Sequence, residues 1–255
     1  MLRATALRKS YGGVLALADL SFTAAPGQTI GLLGPNGSGK STTIHMLTGL
    51  VTPSAGTVEW QGSNIHAQLV SYQAVLGYVP EEPRLYAYLS APEYLRLVGG
   101  LRDIEAAVLA RRIDRYLELF GLESDRFAPL SSFSKGMRQK VLIAAALLHD
   151  PAVVVFDEPC SGLDVASTLV LRSLVRTLAE AGKVIVYSSH VLDMVEKVCT
   201  DVVILHRGRV VAQDSVSRLR ELAAAASLEE VFAQLAVDTN VEAIGRALAA
   251  VGTTR

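Results

Sequence analysis

A chain of 255 residues, 50% of them apolar, is long enough for one large α/β domain, or for a core domain with a subdomain, and has ample material for a buried core. Its formal net charge of −1 gives no electrostatic case for nucleic acid or an anionic membrane surface as a partner. No apolar run reaches the about 20 residues of a membrane-spanning helix, and the two cysteines, Cys160 and Cys199, sit in no C-x-x-C pair, so reduced thiols in a cytosolic protein are expected.

The opening MLRATALRKSYGG lacks the apolar centre of a signal peptide. Residues 2–30 and GTVEWQG (56–62) predict antiparallel strands bounded by Gly and Pro. Four runs, TIGLL (29–33), AVVVF (152–156), VIVYS (184–188) and DVVIL (201–205), are apolar without alternation, which predicts strands buried on both faces. Helical patterns between them imply a mainly parallel sheet with crossover helices. HRGRVV (206–211) predicts a hairpin turning at Gly208.

From about Glu82 to Asp150 the pattern turns helical. APEYLRLVGG opens with a proline in its first turn and closes at Gly99 and Gly100; DIEAAVLARRIDRYLELFGL presents Ile113, Leu117 and Phe120 and stops at Gly121. This block is read as an α-helical subdomain inserted at about 82–150 into a core domain covering 1–220. Residues 221–255 are read as a helical extension, with Ser227 and Glu230 as a capping box and Val241, Ile244, Leu248 and Val251 on one face. The fold class is thus α/β: a core with a mainly parallel sheet, an N-terminal antiparallel β-subdomain and an inserted helical subdomain.

The chemistry begins at GPNGSGKS, Gly34 to Ser41, which matches G-x-x-x-x-G-K-[ST] between a buried strand and a helical run. Gly34, Gly37 and Gly39 let the backbone turn sharply and aim N–H groups at phosphates, with Pro35, Asn36, Ser38 and Thr42 completing the cradle. Lys40 is expected to neutralise the β and γ phosphates of ATP and Ser41 to ligate Mg²⁺. VVVFDEP supplies the acidic partner: Asp157 at a strand end to orient Mg²⁺, and Glu158 to take a proton from the attacking water.

Further motifs follow in a fixed order, and together they resemble the nucleotide-binding domain of ATP-binding cassette (ABC) transporters. SFSKGMRQK stands where that family has its Leu-Ser-Gly-Gly-Gln signature; Ser134 and Gly136 match, while Phe133, Lys135 and Met137 depart. SGLD, ending at Asp164, is similar to the D-loop; SSH puts His190 in the switch position; YVPEEP resembles the Q-loop with Glu81 in place of Gln; and Tyr11 in KSYGGVLAL stands where the family stacks a ring on adenine. The resemblance covers about residues 2–220. No Asn-Lys-x-Asp guanine-reading motif occurs, and a small-molecule kinase would not account for the signature, the D-loop or His190.

The resemblance implies a head-to-tail homodimer in the ATP state. Each ATP then lies between one P-loop and the other copy's signature, where Ser134 and the helix start at Lys135 contact the γ-phosphate. It implies Glu81 as a further Mg²⁺ ligand, a separate transmembrane permease as partner, an exporter-like subfamily, and a place on the cytoplasmic face of the cell membrane through that permease. A soluble ABC ATPase without a permease, as in cluster assembly, is the alternative; a non-hydrolysing regulator is disfavoured by an intact Glu158 and His190. Tyr86 and Tyr88 are candidates for the permease-docking surface, with Leu89 and Leu97 assigned to the helical core. His45, His66, His149, His206 and Trp60 are expected to pack or face solvent.

Overall fold

The computed structural model describes residues 1–222, 227, 228 and 230–232. The chain opens with an antiparallel hairpin, β1 (Leu2–Tyr11) and β2 (Val14–Ala24), closed by Gly12 and Gly13 at φ 52° and 86°. Next come β3 (Thr29–Leu33), α1 (Lys40–Leu47), β4 (Ala55–Trp60), β5 (Ser63–Asn64), α2 (Leu69–Ala74) and β6 (Leu76–Val79). A helical stretch holds α3 (Ala91–Gly100), α4 (Ala106–Phe120) and α5 (Lys135–Leu147). The chain then alternates through β7 (Val153–Asp157), α6 (Val165–Glu180), β8 (Val184–Ser188), α7 (Leu192–Val198), β9 (Asp201–His206), β10 (Arg209–Ser215) and α8 (Val216–Leu222).

Among the described residues the strands form one sheet in the order β5-β4-β1-β2-β10-β9-β3-β8-β7-β6. From β9 to β6 every neighbouring pair is parallel, whereas β1, β2, β4 and β5 pair antiparallel. A single parallel register point, Arg209 with Ala18, joins the halves.

The predicted strands occur where the apolar runs lie. All five residues of β3, β7 and β8 are buried, because helices cover both faces of the parallel part. Val153 and Val155 point into a core shared with α1, whose Ile44, Met46 and Leu47 meet them there; Val154 and Phe156 point into the opposite core, with Ile143, Leu171 and Val195. That alternation makes β7 a rigid rod, and its last residue, Asp157, is placed by it.

A third core holds Leu95, Leu109, Ile113, Leu117 and Phe133. Helix α5 serves two cores: Ile143, Ala146 and Leu147 face the sheet, and Val141, Ala144 and Leu148 face the other helices. It lies so close to β6 that a Cβ on Gly77 would sit 2.4 Å from the Ala146 carbonyl oxygen.

Three readings need correction. The edge strand β6 has no counterpart among the predicted strands. Helix α4 begins at Ala106, not Asp103: Asp103 takes φ 52°, and the Glu105 carboxylate accepts the N–H groups of Ala107 and Val108 as the cap. Leu97 is 42% exposed, because α3 buries Ala91, Pro92, Leu95 and Gly99 instead. At the other end of the chain, Ser227 Oγ accepts the Glu230 N–H at 3.4 Å, one half of the expected capping box. Val241, Ile244, Leu248 and Val251 lie outside the described residues.

Candidate active site

The loop between β3 and α1 needs its glycines for two reasons. Gly34, Gly37 and Gly39 take φ of 153°, 78° and 107°, where side chains are strained. A Cβ on Gly34 would also lie 2.3 Å from both the Leu205 carbonyl oxygen and Ser38 Oγ. Lys40 is buried, and its Nζ donates to the carbonyls of Gly34 at 2.7 Å and Pro35 at 3.3 Å, so the loop is wrapped around its own cation. No side chain caps α1, which leaves its first-turn N–H groups and positive dipole end available to an anion. The buried Ser38 Oγ has no protein partner either.

Beside this loop, β7 and β8 run parallel with Asp157 paired to Ser188. Ser188 Oγ donates to Asp157 Oδ1 at 2.5 Å. The Glu158 N–H reaches Ser188 Oγ at 3.1 Å and the Ser188 carbonyl at 3.2 Å, which holds Glu158 at φ 45°. Glu158 Oε2 then meets His190 Nδ1 at 2.8 Å and the His190 N–H at 3.3 Å. Burial pushes the Asp157 carboxyl above the usual aspartate range; the Ser188 hydroxyl pulls it down, and the charges of Glu81 and Glu158 push it up again.

These elements face one cleft of ≈ 850 Å³, lined by Tyr11, Asn36, Gly37, Gly39, Lys40, Ser41, Thr42, Glu81, Glu158 and His190. Gly34, Pro35, Ser38 and Asp157 are not part of that lining. The Tyr11 ring has Lys9 Nζ 5.0 Å from its centroid, and Lys9 is anchored on the Thr52 carbonyl at 2.8 Å. Ser134, Gly136 and Asp164 are absent from this lining. Ser134 Oγ instead caps α5 by accepting the Met137 N–H at 3.1 Å, and Asp164 caps α6 by accepting the Ser167 N–H at 2.7 Å. Residues 17–161, which carry the phosphate loop, the Ser134 segment and the Asp157–Glu158 pair, match the family model for the ABC transporter.

The chain belongs to the ABC transporter family. It is 39% identical over 208 residues, 81% of its length, to an uncharacterized ABC transporter ATP-binding protein of Nostoc sp. strain PCC 7120, and spans only 62% of that relative. It is 34% identical over 226 residues to the Nod factor export ATP-binding protein I of Cupriavidus metallidurans strain CH34, covering 89% of this chain and 75% of that one. A solved ATP-binding subunit of an ABC transporter superposes with a TM-score of 0.86 at 34% identity, over 92% of this chain and 98% of that one. This cassette is an ATP-binding, ATP-hydrolysing unit with a P-loop NTPase fold.

The oxygen donors that the ABC cassette could offer a divalent cation are Ser41, Glu81 and Asp157. They suit a hard ion such as Mg²⁺, and a cation would relieve the repulsion that raises Asp157. No group of three or more His, Cys, Asp or Glu among the described residues could hold a metal alone, so phosphate oxygens would have to complete the coordination. Sequence reasoning passed over Ser188, although the quoted SSH contains it. Its importance lies in its register opposite Asp157.

Proposed function

We propose that this chain is the subunit that powers a separate membrane permease, an exporter, by binding and hydrolysing ATP at two sites shared across a head-to-tail homodimer. One observation carries the shared-site reading: Ser134 and the start of α5, a ready anion site, lie away from the chain's own phosphate cleft. A second copy turned to face the first supplies that missing wall.

Within each site Lys40 exchanges its loop carbonyls for the β and γ phosphates, and the α1 N–H groups hold the remaining oxygens. Tyr11, steadied by Lys9, stacks on the base. Ser41, Asp157 and Glu81 would hold Mg²⁺, which would supply neutralisation of phosphate charge. Glu158 accepts a proton from the attacking water as the new O–P bond forms and the bond to ADP breaks. His190 fixes the Glu158 carboxylate and faces the γ-phosphate.

Residues 1–220 form the ATPase unit, 82–150 its helical insertion and 221–255 an extension. Among the described residues no helix is long and apolar enough to cross a membrane; in this reading the permease brings the chain to the cytoplasmic face. Tyr86 and Tyr88 support docking: they are 53% and 77% exposed, with ring centroids 6.1 Å apart. The export reading draws on the relative named for Nod factor export.

Sedimentation of the Glu158→Gln chain with and without Mg-ATP tests the pairing. A dimer that forms only with nucleotide is expected; a monomer at saturating Mg-ATP contradicts it.

A further inference from the structure

Lys135 is the first residue of α5, where the helix dipole disfavours a cation. Its ammonium is nonetheless engaged, donating to Ser161 Oγ at 2.6 Å across 26 residues of sequence. The two segments are in tight contact around that bond. A Cβ on Gly136 would lie 2.5 Å from the Gly162 carbonyl oxygen, and one on Gly162, at φ 82°, would lie 2.8 Å from the Lys135 stem. Both glycines are therefore required for the approach.

Ser161 leads back to the catalytic carboxylate. Its N–H donates to the Glu158 carbonyl at 3.1 Å, so one turn of chain separates the Lys135 contact from the residue that holds His190 at 2.8 Å. Among the described residues no carboxylate takes part in the Lys135 contact, and a neutral hydroxyl is a weak partner that an incoming anion can displace.

We propose that Lys135 is a positioning residue that couples the start of α5 to Glu158 of the same chain through Ser161. The inference rests on the head-to-tail reading. There the start of α5 faces the nucleotide bound by the partner, whereas Glu158 serves the chain's own nucleotide. Phosphate arriving from the partner side draws the Lys135 ammonium away from Ser161 and releases the 158–164 turn, so each site responds to occupancy of the other.

The test uses the full chain with Lys135→Met, which keeps the stem over Gly162 but removes the donor, together with Lys135→Arg, Ser161→Ala and the Lys135→Met/Ser161→Ala double variant. Steady-state hydrolysis over a range of ATP concentrations gives kcat and the Hill coefficient, and binding of a fluorescent nucleotide checks the P-loop. Lys135→Met and Ser161→Ala are each expected to lower the Hill coefficient toward one and to raise hydrolysis at subsaturating ATP by about three- to tenfold, the size of one side-chain coupling, because both break in advance the contact that nucleotide otherwise breaks. Nucleotide affinity stays unchanged in Ser161→Ala, Lys135→Arg restores cooperativity, and the double variant departs from wild type no more than either single one. Cooperative wild-type kinetics with an unaltered Hill coefficient in Lys135→Met, or additive effects in the double variant, overturn the inference alone. A wild-type chain that remains monomeric and non-cooperative in Mg-ATP overturns the head-to-tail reading and the inference with it.

Discussion

The Glu158 carboxylate and the His190 ring meet at 2.8 Å just beyond the ends of two neighbouring parallel strands, and the His190 N–H reaches the same Glu158 oxygen at 3.3 Å. Both contacts use Oε2, which leaves Oε1 to accept a proton. The strands beneath are buried on both faces, so the pair is set by core packing rather than by a mobile loop. His190 itself is 68% exposed at its side chain and open to the cleft.

Replacing the base separates binding from chemistry. Glu158→Gln should lower steady-state hydrolysis by about 10²–10⁴-fold, with Mg-ATP binding retained. His190→Ala should lose hydrolysis as well, because Oε2 is then held by a single backbone donor. Phosphate release and fluorescent-nucleotide titration measure the two properties, and an unchanged kcat in either variant removes that residue from the proposed chemistry.

Lys40→Ala should abolish measurable hydrolysis and weaken ATP binding, since Lys40 is the buried Lys or Arg among the described residues and its Nζ reaches the loop carbonyls. Steady-state hydrolysis at the wild-type rate would take the loop out of the mechanism.

Asp157 links the site to stability. Its carboxyl is raised, so the folded state holds its proton more tightly than the unfolded state, and stability falls as pH climbs from the ordinary aspartate range through the raised value. Asp157→Asn removes that loss. The nucleotide-free variant should melt above wild type at neutral pH, with the gap closing toward about pH 4, while its hydrolysis is lost. Calorimetry across pH decides; an Asn variant less stable than wild type at neutral pH contradicts the sign.

Glu81 places a further carboxylate near Asp157, adding to the charge of Glu158. Glu81→Gln should retain hydrolysis and shift its Mg²⁺ dependence. Complete loss of activity would mean that the carboxylate has an obligatory role.

For the docking surface, Tyr86→Ala with Tyr88→Ala should abolish co-purification with the permease and leave nucleotide binding by the isolated chain intact. An unaltered complex with unaltered transport rules these tyrosines out. A melted protein assigns them to the helical core, where Tyr86 already meets Tyr94 at 6.4 Å.

What could be read from the residues depended on how local the cause was. TIGLL and VIVYS match β3 and β8 end for end, because strands covered on both faces leave unbroken apolar runs. β6 escaped notice: it is four residues long, and Gly77 is there to admit α5 rather than to pack a side chain. The phosphate loop and the Asp157–Glu158 pair are contiguous motifs and were legible at once. Ser188 and the Lys135–Ser161 contact were not, since each acts on a residue that only the fold brings near. Lys9 beside Tyr11 depends likewise on β1 running past the loop that holds Thr52.

The shared site is tested most directly by complementation between two damaged chains. Lys40→Ala removes a chain's own phosphate loop function, and Ser134→Ala damages the wall it lends to a partner while leaving its own phosphate loop intact. Mixed head-to-tail dimers contain one site with an intact Lys40 and an intact Ser134, and a second site with neither. Hydrolysis by the mixture should therefore exceed the sum of the two variants measured alone at the same total protein concentration. A mixture no more active than that sum would contradict the sharing of ATP between two copies.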